Sequence, residues 1–289
     1  MTAMRPQSGF SIAGRLDPSG RGSRRIARTI LAATALSSIL TAGAVAQEPR
    51  PAECGLEGLG TVVVAAVRDG RSFTLTDGRE ARLSAIEAPP AGDAEAAART
   101  ALNALIGGRL VVLRQDGPAT DRYGRLPVFA YPEDGGPSTQ ETLLEQGLAR
   151  VSARPGEAAC AETLFARERA ARAAGRGLWS KAGAVLDAAR PAEISAVRGQ
   201  FAVVEGTVRS VRESRGVLYI NFGRRWTQGF TAIVLKRRER SFGRAGTDLR
   251  SLAGRRVRVR GWVEQRRGPV IEAERPEQIE LVNATTASQ

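Results

Sequence analysis

Two tight-turn signals set close together, Asp69-Gly70 and Asp77-Gly78, constrain this chain more than any other feature. Each is flanked by residues of strand type. Residues 61–67 (TVVVAAV) are apolar and β-branched, 72–76 (SFTLT) alternate, and 80–86 (EARLSAI) alternate again. Asp-Gly between alternating runs is a hairpin signal, because its second residue accepts the positive φ a tight turn demands. Pro89-Pro90 ends the third strand. A helix is expected over 93–106, with Asp93 as N-cap, Gly107-Gly108 as the stop, and Ala97, Ala101, Leu102 and Leu105 on one face. Residues 109–114 (RLVVLR) and 125–131 (RLPVFAY) read as strands. Ser138 and Glu141 form a capping box that opens a second helix through Gln146, and a third helix is expected over 157–174.

Three hairpin-linked strands, a helix, two more strands and two helices is the plan of an OB-type β-barrel with helical additions, mainly β with α in an α+β arrangement. Residues 183–195, rich in Ala with one Pro, read as a linker. Strands resume over 201–211, 216–222, 230–235, 256–263 and 270–273, which suggests a second, smaller OB-like β-barrel. The expected organisation is therefore a leader (1–46), a first barrel domain (47–182), a linker (183–195) and a basic second domain (196–283). A chain of 289 residues accommodates two domains of this size.

The leader reading rests on a basic region with Arg21, Arg24, Arg25 and Arg28, an apolar stretch from Ile30 to Ala46, and a small-residue end at Gly43-Ala44-Val45-Ala46. That is the pattern of a secretory signal peptide cleaved after Ala46; the alternative is a short membrane anchor. Export places the mature chain in the periplasm or outside the cell and changes how its two cysteines read. Cys54 and Cys160 pair as a disulfide in an oxidising compartment, worth up to about 4 kcal/mol for a loop this long, or stay as two buried thiols. No histidine is present, which rules out a Ser-His-Asp triad, a Cys-His pair and a His-ligated metal site.

The net charge of +13 is unevenly spread. Residues 47–197 carry 18 basic and 20 acidic groups, whereas 198–289 carry 19 and 9. The positive field of the mature chain comes from its last third, which fits a polyanionic partner such as nucleic acid, anionic lipid or acidic polysaccharide. There Arg215, Arg224, Arg225, Lys236, Arg237 and Arg238 interleave with Tyr219, Phe222, Trp226 and Phe230. They read either as a stacking-and-charge platform for single strands or as core aromatics beneath a solvated basic face. Arg256, Arg258 and Arg260 alternate with valines and share one face, expected to meet solvent.

An ordered set of short motifs then narrows the reading. It comprises Asp69-Gly70-Arg71-Ser72, Arg82, Glu87-Ala88-Pro89-Pro90 and Asp121-Arg122-Tyr123-Gly124-Arg125, followed by Gln146-Gly147-Leu148-Ala149 and Leu178-Trp179-Ser180. In order and approximate spacing, residues 58–182 resemble the thermonuclease (staphylococcal-nuclease-like) family. The resemblance implies that Arg82 and Arg125 are the catalytic arginines gripping the scissile phosphate, a task the planar guanidinium suits. It places Tyr123 and Asp121 on the substrate side. It also implies a Ca²⁺ cofactor, with Glu87 at one ligand position.

This chain departs from the pattern at two places. Arg71 stands where the family has a metal-binding Asp, and Pro90 stands where it has the general-base Glu. An Arg71–Glu87 ion pair in place of the metal is the expectation. Asp93 and Glu95 are candidate replacement bases or, alternatively, ordinary first-turn acids of the helix. By resemblance the function is nucleic-acid phosphodiester hydrolysis with altered metal and base positions. The alternative is a non-catalytic envelope protein that binds nucleic acid or another polyanion.

Overall fold

The computed structural model describes Cys54 and residues 57–224 and 228–282. The leader, Arg225 and Trp226 lie outside the described residues. The first barrel is built from β1 (Glu57–Val67), β2 (Ser72–Leu75), β3 (Glu80–Leu83), β5 (Leu110–Gln115) and β6 (Leu126–Pro132). They close in the order β1-β2-β3-β6-β5, with β3 and β6 parallel and the other pairs antiparallel. This is the five-stranded OB arrangement. Its core holds Phe73, Leu75, Leu83, Leu113 and Phe129, all at most 1% exposed. Full burial of such side chains is worth roughly 1.5–3 kcal/mol apiece.

The run expected over 80–86 breaks at Ala85, whose φ is +65°. The chain there leaves the barrel to form β4 (Ile86–Glu87), which pairs with β7 (Arg150–Val151). Three helices complete this half: α1 (Gly92–Ile106), α2 (Thr139–Glu145) and α3 (Ala158–Ala173). Ser138 and Glu141 form the expected capping box on α2. On α1 the structure corrects two details. Ala91 is the N-cap, with Asp93 already in the first turn. The buried face is Ala98, Leu102 and Ile106, while Ala97 is exposed. Cys54 and Cys160 are joined by a disulfide.

The second half has the same strand logic. β9 (Phe201–Thr207) runs through Val208-Arg209 into β10 (Ser210–Ser214), so these are two parts of one bent strand. With β11 (Val217–Asn221), β12 (Thr231–Leu235), β13 (Arg256–Gln265) and β14 (Pro269–Glu272), the pairing runs β10-β11-β12-β14-β13-β9. Because β9 and β10 are consecutive, the two ends of this sheet are joined through one segment, and the sheet is the second barrel of the chain. Again one pair, β12 with β14, is parallel. A short helix, α5 (Glu239–Arg244), lies between β12 and β13, and β15 (Ile279–Leu281) pairs with β13. Phe222 and Phe230 pack in this core with ring centroids 5.1 Å apart, so they do not form an exposed stacking platform. Tyr219 is half-buried on the outer face.

Two sequence expectations are revised here. Residues 183–195 are no free linker. They carry β8 (Leu186–Asp187), which adds to β9, and the start of α4 (Pro191–Ala196), whose Ile194 is fully buried in the second core. The arginine face of β13 meets solvent only at its start, where Arg256 is exposed. Arg260 is 1% exposed, and its guanidinium lies against Glu168 of α3. Arg258 reaches Glu205 and Glu280. The alternation of residues 256–260 placed these arginines correctly on one face, but carried no sign that α3 would cover it.

Candidate functional site

The first turn of the barrel fixes the site. Asp69 Oδ1 accepts hydrogen bonds from the backbone N–H of Arg71 and of Ser72, both at 2.8 Å. Gly70 lies so close to α1 that an added Cβ would sit 2.8 Å from the Ala98 methyl and 2.9 Å from that of Ala88. The turn is thereby pinned, and Arg71 projects onto β4. Its Nη1 donates to the Glu87 carboxylate and to the Ile86 carbonyl, the latter at 3.2 Å.

Arg82, opposite Ser72 in the β2–β3 ladder, approaches the same carboxylate from the other side, Nη2 to Oε1 at 3.5 Å. Its Nη1 lies 4.0 Å from Asp121 Oδ2. Asp121 in turn holds Arg125, with Nε and Nη2 donating to Oδ2 at 2.9 and 2.7 Å. The Asp121 Oδ1 accepts from the backbone N–H of Tyr123 and Arg125 at 2.8 and 3.1 Å, which sets the geometry of the loop. Tyr123 is 63% exposed, with the guanidinium carbons of Arg122 and Arg125 4.8 and 5.0 Å from its ring centre.

The result is an alternating chain of charge, Arg71–Glu87–Arg82–Asp121–Arg125, with three cations and two anions. Burial pushes the Glu87 carboxyl above its ordinary range, against the pull of Arg71 and Arg82. Burial, then the neighbouring Arg71, lowers the pKa of Arg82, partly offset by Glu87. At Asp121 burial acts upward, but hydrogen bonds from Arg125 and the loop backbone prevail and hold the carboxyl low.

The structure therefore brings together Arg82, Arg125, Tyr123, Asp121, Glu87 and Arg71. Asp121 serves as the clamp on Arg125 rather than standing free. Asp93 is exposed on α1, away from the cluster's contacts, whereas Glu95 lines a small pocket of about 150 Å³ with Arg71, Glu87 and Pro90. A larger cleft of about 680 Å³ opens beside Arg82, Glu87 and Asp121. Its far wall belongs to the second barrel and includes Trp262, Glu264 and Glu272. Sequence reasoning missed Trp262 entirely. The available signal was its place two residues beyond Arg260, on the same face of one strand.

A divalent cation does not fit this donor set. Ca²⁺ requires several oxygen ligands, preferably carboxylates. Here the Glu87 carboxylate and the Ile86 carbonyl already face the guanidinium of Arg71. Among the described residues, no group of three or more His, Cys, Asp or Glu side chains is placed to hold a metal ion.

Fold and cluster together define an OB barrel that carries Arg71, Arg82 and Arg125 close together at one rim. Residues 81–181 match the model of the family described as staphylococcal nuclease homologue, and this stretch is a domain of that family. No curated protein matches the chain. No helix among the described residues is long and apolar enough to cross a membrane.

Proposed function

We propose that this chain is an exported protein that binds nucleic acid through its nuclease-type barrel without metal-assisted hydrolysis of the phosphodiester. The carrying observation is the position of Arg71 on Glu87, which puts a cation where the family's metal chemistry needs an anion. Pro90 cannot move a proton, so no general base takes its place in the motif. Arg82 and Arg125 stand at the rim with their guanidiniums partly engaged by Glu87 and Asp121, and the cluster's net charge of one positive unit favours a phosphate. Tyr123 offers an exposed ring beside them.

A second basic surface supports a polyanionic partner. Lys236 and Arg250 form a ring of ion pairs with Glu213 and Glu239 at one corner of the second barrel. Arg212, Arg215, Arg237 and Arg240 are close to these residues in sequence, all are exposed, and none has an acidic partner among the described residues. Export is part of the same proposal, supported by the leader pattern of residues 1–46 and by the Cys54–Cys160 disulfide. The family match keeps one competing reading, residual phosphodiester hydrolysis by Arg82 and Arg125.

One experiment separates the two. The mature protein is incubated with single-stranded DNA and RNA, with Ca²⁺ and with chelator, and binding is followed in parallel against salt. The expected result is no cleavage and binding that weakens steeply with salt. Calcium-dependent cleavage abolished by Arg82→Ala would overturn the proposal.

A further inference from the structure

Strand β13 turns one row of side chains toward the first barrel. Arg260 is the anchor of that row, donating to Glu168 at 2.9 and 3.0 Å and to the Val151 carbonyl at 3.1 Å. Trp262, two residues further on, shares the face but is 47% exposed, because the contact between the barrels has opened into the cleft. Its indole is held in place. The Phe201 ring meets it edge-on at 6.1 Å, and the two residues are paired in the β9–β13 ladder. Trp262 lines both cavities that flank Glu87, the large one with Arg82 and Asp121 and the small one with Arg71 and Pro90.

A rigid, half-exposed indole on a cleft wall is a stacking surface, since it presents a flat apolar face at little cost in side-chain entropy. The charges around it sort what can approach. Carboxylates outnumber arginines in the cleft, with Asp116, Glu264, Glu272 and Glu274 against Arg154 and Arg275, so a phosphate inside it would mostly face carboxylates. Arg154 is paired with Glu274 and Arg275 stands near Asp116, whereas Arg82 stands at the first-barrel side of the cleft. A nucleotide carries its charge on the phosphate, whereas its base is neutral, flat and bears N–H donors that carboxylates accept. Only one orientation satisfies both ends.

We infer that Trp262 of the second barrel is the base-stacking residue of the first barrel's site, receiving an unpaired nucleobase while Arg82 and Arg125 hold the adjoining phosphate. The partner is thereby single-stranded nucleic acid, because a paired base cannot present its face to the indole. This inference rests on the proposed binding of a phosphodiester at Arg82 and Arg125. It gives the second barrel a direct part in the site, beyond its own basic corner.

The test uses the full mature chain carrying Arg212→Ser and Arg215→Ser, exposed changes that weaken the basic corner. Labelled oligothymidylate and inorganic polyphosphate serve as probes, one with bases and one without. Trp262→Leu is expected to weaken oligothymidylate binding about tenfold while leaving polyphosphate binding unchanged. Trp262→Phe keeps an aromatic face and recovers most of the loss, unchanged polyphosphate binding shows that the variants are folded, and Arg125→Ala weakens both probes. If Trp262→Leu affects neither probe, or both equally, while Arg125→Ala still weakens both, Trp262 does not stack a base and the phosphate site stands alone. If the parent protein binds neither probe, the phosphate site itself is refuted, and this inference with it.

Discussion

Glu168 of α3 and Arg260 of β13 form a bidentate ion pair at 2.9 and 3.0 Å, with both side chains at most 1% exposed. The same carboxylate accepts the backbone N–H of Val151 at 2.6 Å, and the guanidinium lies over the Phe165 ring at 4.5 Å. The two barrels are thus joined through a site that water does not reach. Removing Glu168 leaves the buried Arg260 with only the longer contact to Glu280 at 3.7 Å, so Glu168→Gln is expected to cost about 3 kcal/mol. Replacing both by Leu and Met is expected to cost far less. Urea unfolding of the single and double variants measures the difference.

The same pair sets a pH response. Burial alone pushes the Glu168 carboxyl up, but Arg260, the Val151 N–H and Arg172 outweigh it and hold the carboxyl below its ordinary range. A folded-state pKa below the unfolded one contributes stability above the unfolded value, and that stability is lost as pH falls through the folded value. The wild-type protein is therefore expected to lose stability below about pH 4. Glu168→Gln is expected to give a flatter curve there. Equal slopes in a pH series of urea midpoints would remove Glu168 from the account.

Gly147 explains why its motif admits no side chain. Its φ is +71°, and a Cβ there would lie 2.2 Å from the Arg176 carbonyl oxygen. The Leu178 N–H donates to the Gly147 carbonyl at 2.8 Å, so the two segments cannot separate without losing that bond. Gly147→Ala is expected to cost at least about 3 kcal/mol by combining a left-handed conformation with a backbone clash. Gly175→Ala, at φ +60° with open space around it, is expected to cost only about 1–2 kcal/mol. Thermal melts of the two variants compare clash with conformation alone.

Local chemistry made the barrel readable. The Asp77-Gly78 turn, the Ser138–Glu141 capping box and the alternation of 72–75 and 80–83 each depend on neighbours in sequence, and each appears where the pattern puts it. The Arg71–Glu87 pair was legible from the ordered motifs that resemble the thermonuclease family, and the structure places the two in contact. What could not be read was contact between distant segments. Residues 183–195 read as a linker because nothing local shows that Ile194 enters the second core. Alternation put Arg260 and Trp262 on one face, yet only the packing of α3 against β13 decides that this face is buried at one and open at the other.

The disulfide ties the lead-in at Cys54 to α3 across 106 residues. A loop this long is worth up to about 4 kcal/mol in the chain-entropy account. Tyr131 adds a second tether, its hydroxyl donating to the Cys54 carbonyl at 3.0 Å and accepting from the Cys54 N–H at 2.5 Å. Cys160→Ser is therefore expected to lower stability by about 2–4 kcal/mol without abolishing the fold. Dithiothreitol should lower the melting temperature of the wild-type protein and leave that of Cys160→Ser unmoved.

Position 71 offers the sharpest test of the charge argument. Arg71→Asp removes a positive charge beside Glu87 and supplies a carboxylate. At about 4 Å and an effective dielectric near 20, each unit of charge is worth about 4 kcal/mol to a neighbouring charge. The Ile86 carbonyl is released at the same time. Calcium binding, followed by isothermal titration, is expected to rise from none measurable to about the millimolar range of weak oxygen sites. Metal alone does not restore proton transfer, so Arg71→Asp should bind calcium and still fail to cut. Adding Pro90→Glu supplies the missing base, a contribution of about 10²–10⁴ in rate. Calcium-dependent cleavage should then appear in the double variant only. If Arg71→Asp binds no calcium, the guanidinium is not what closes the site, and the shape of the β4 segment around Glu87 must be.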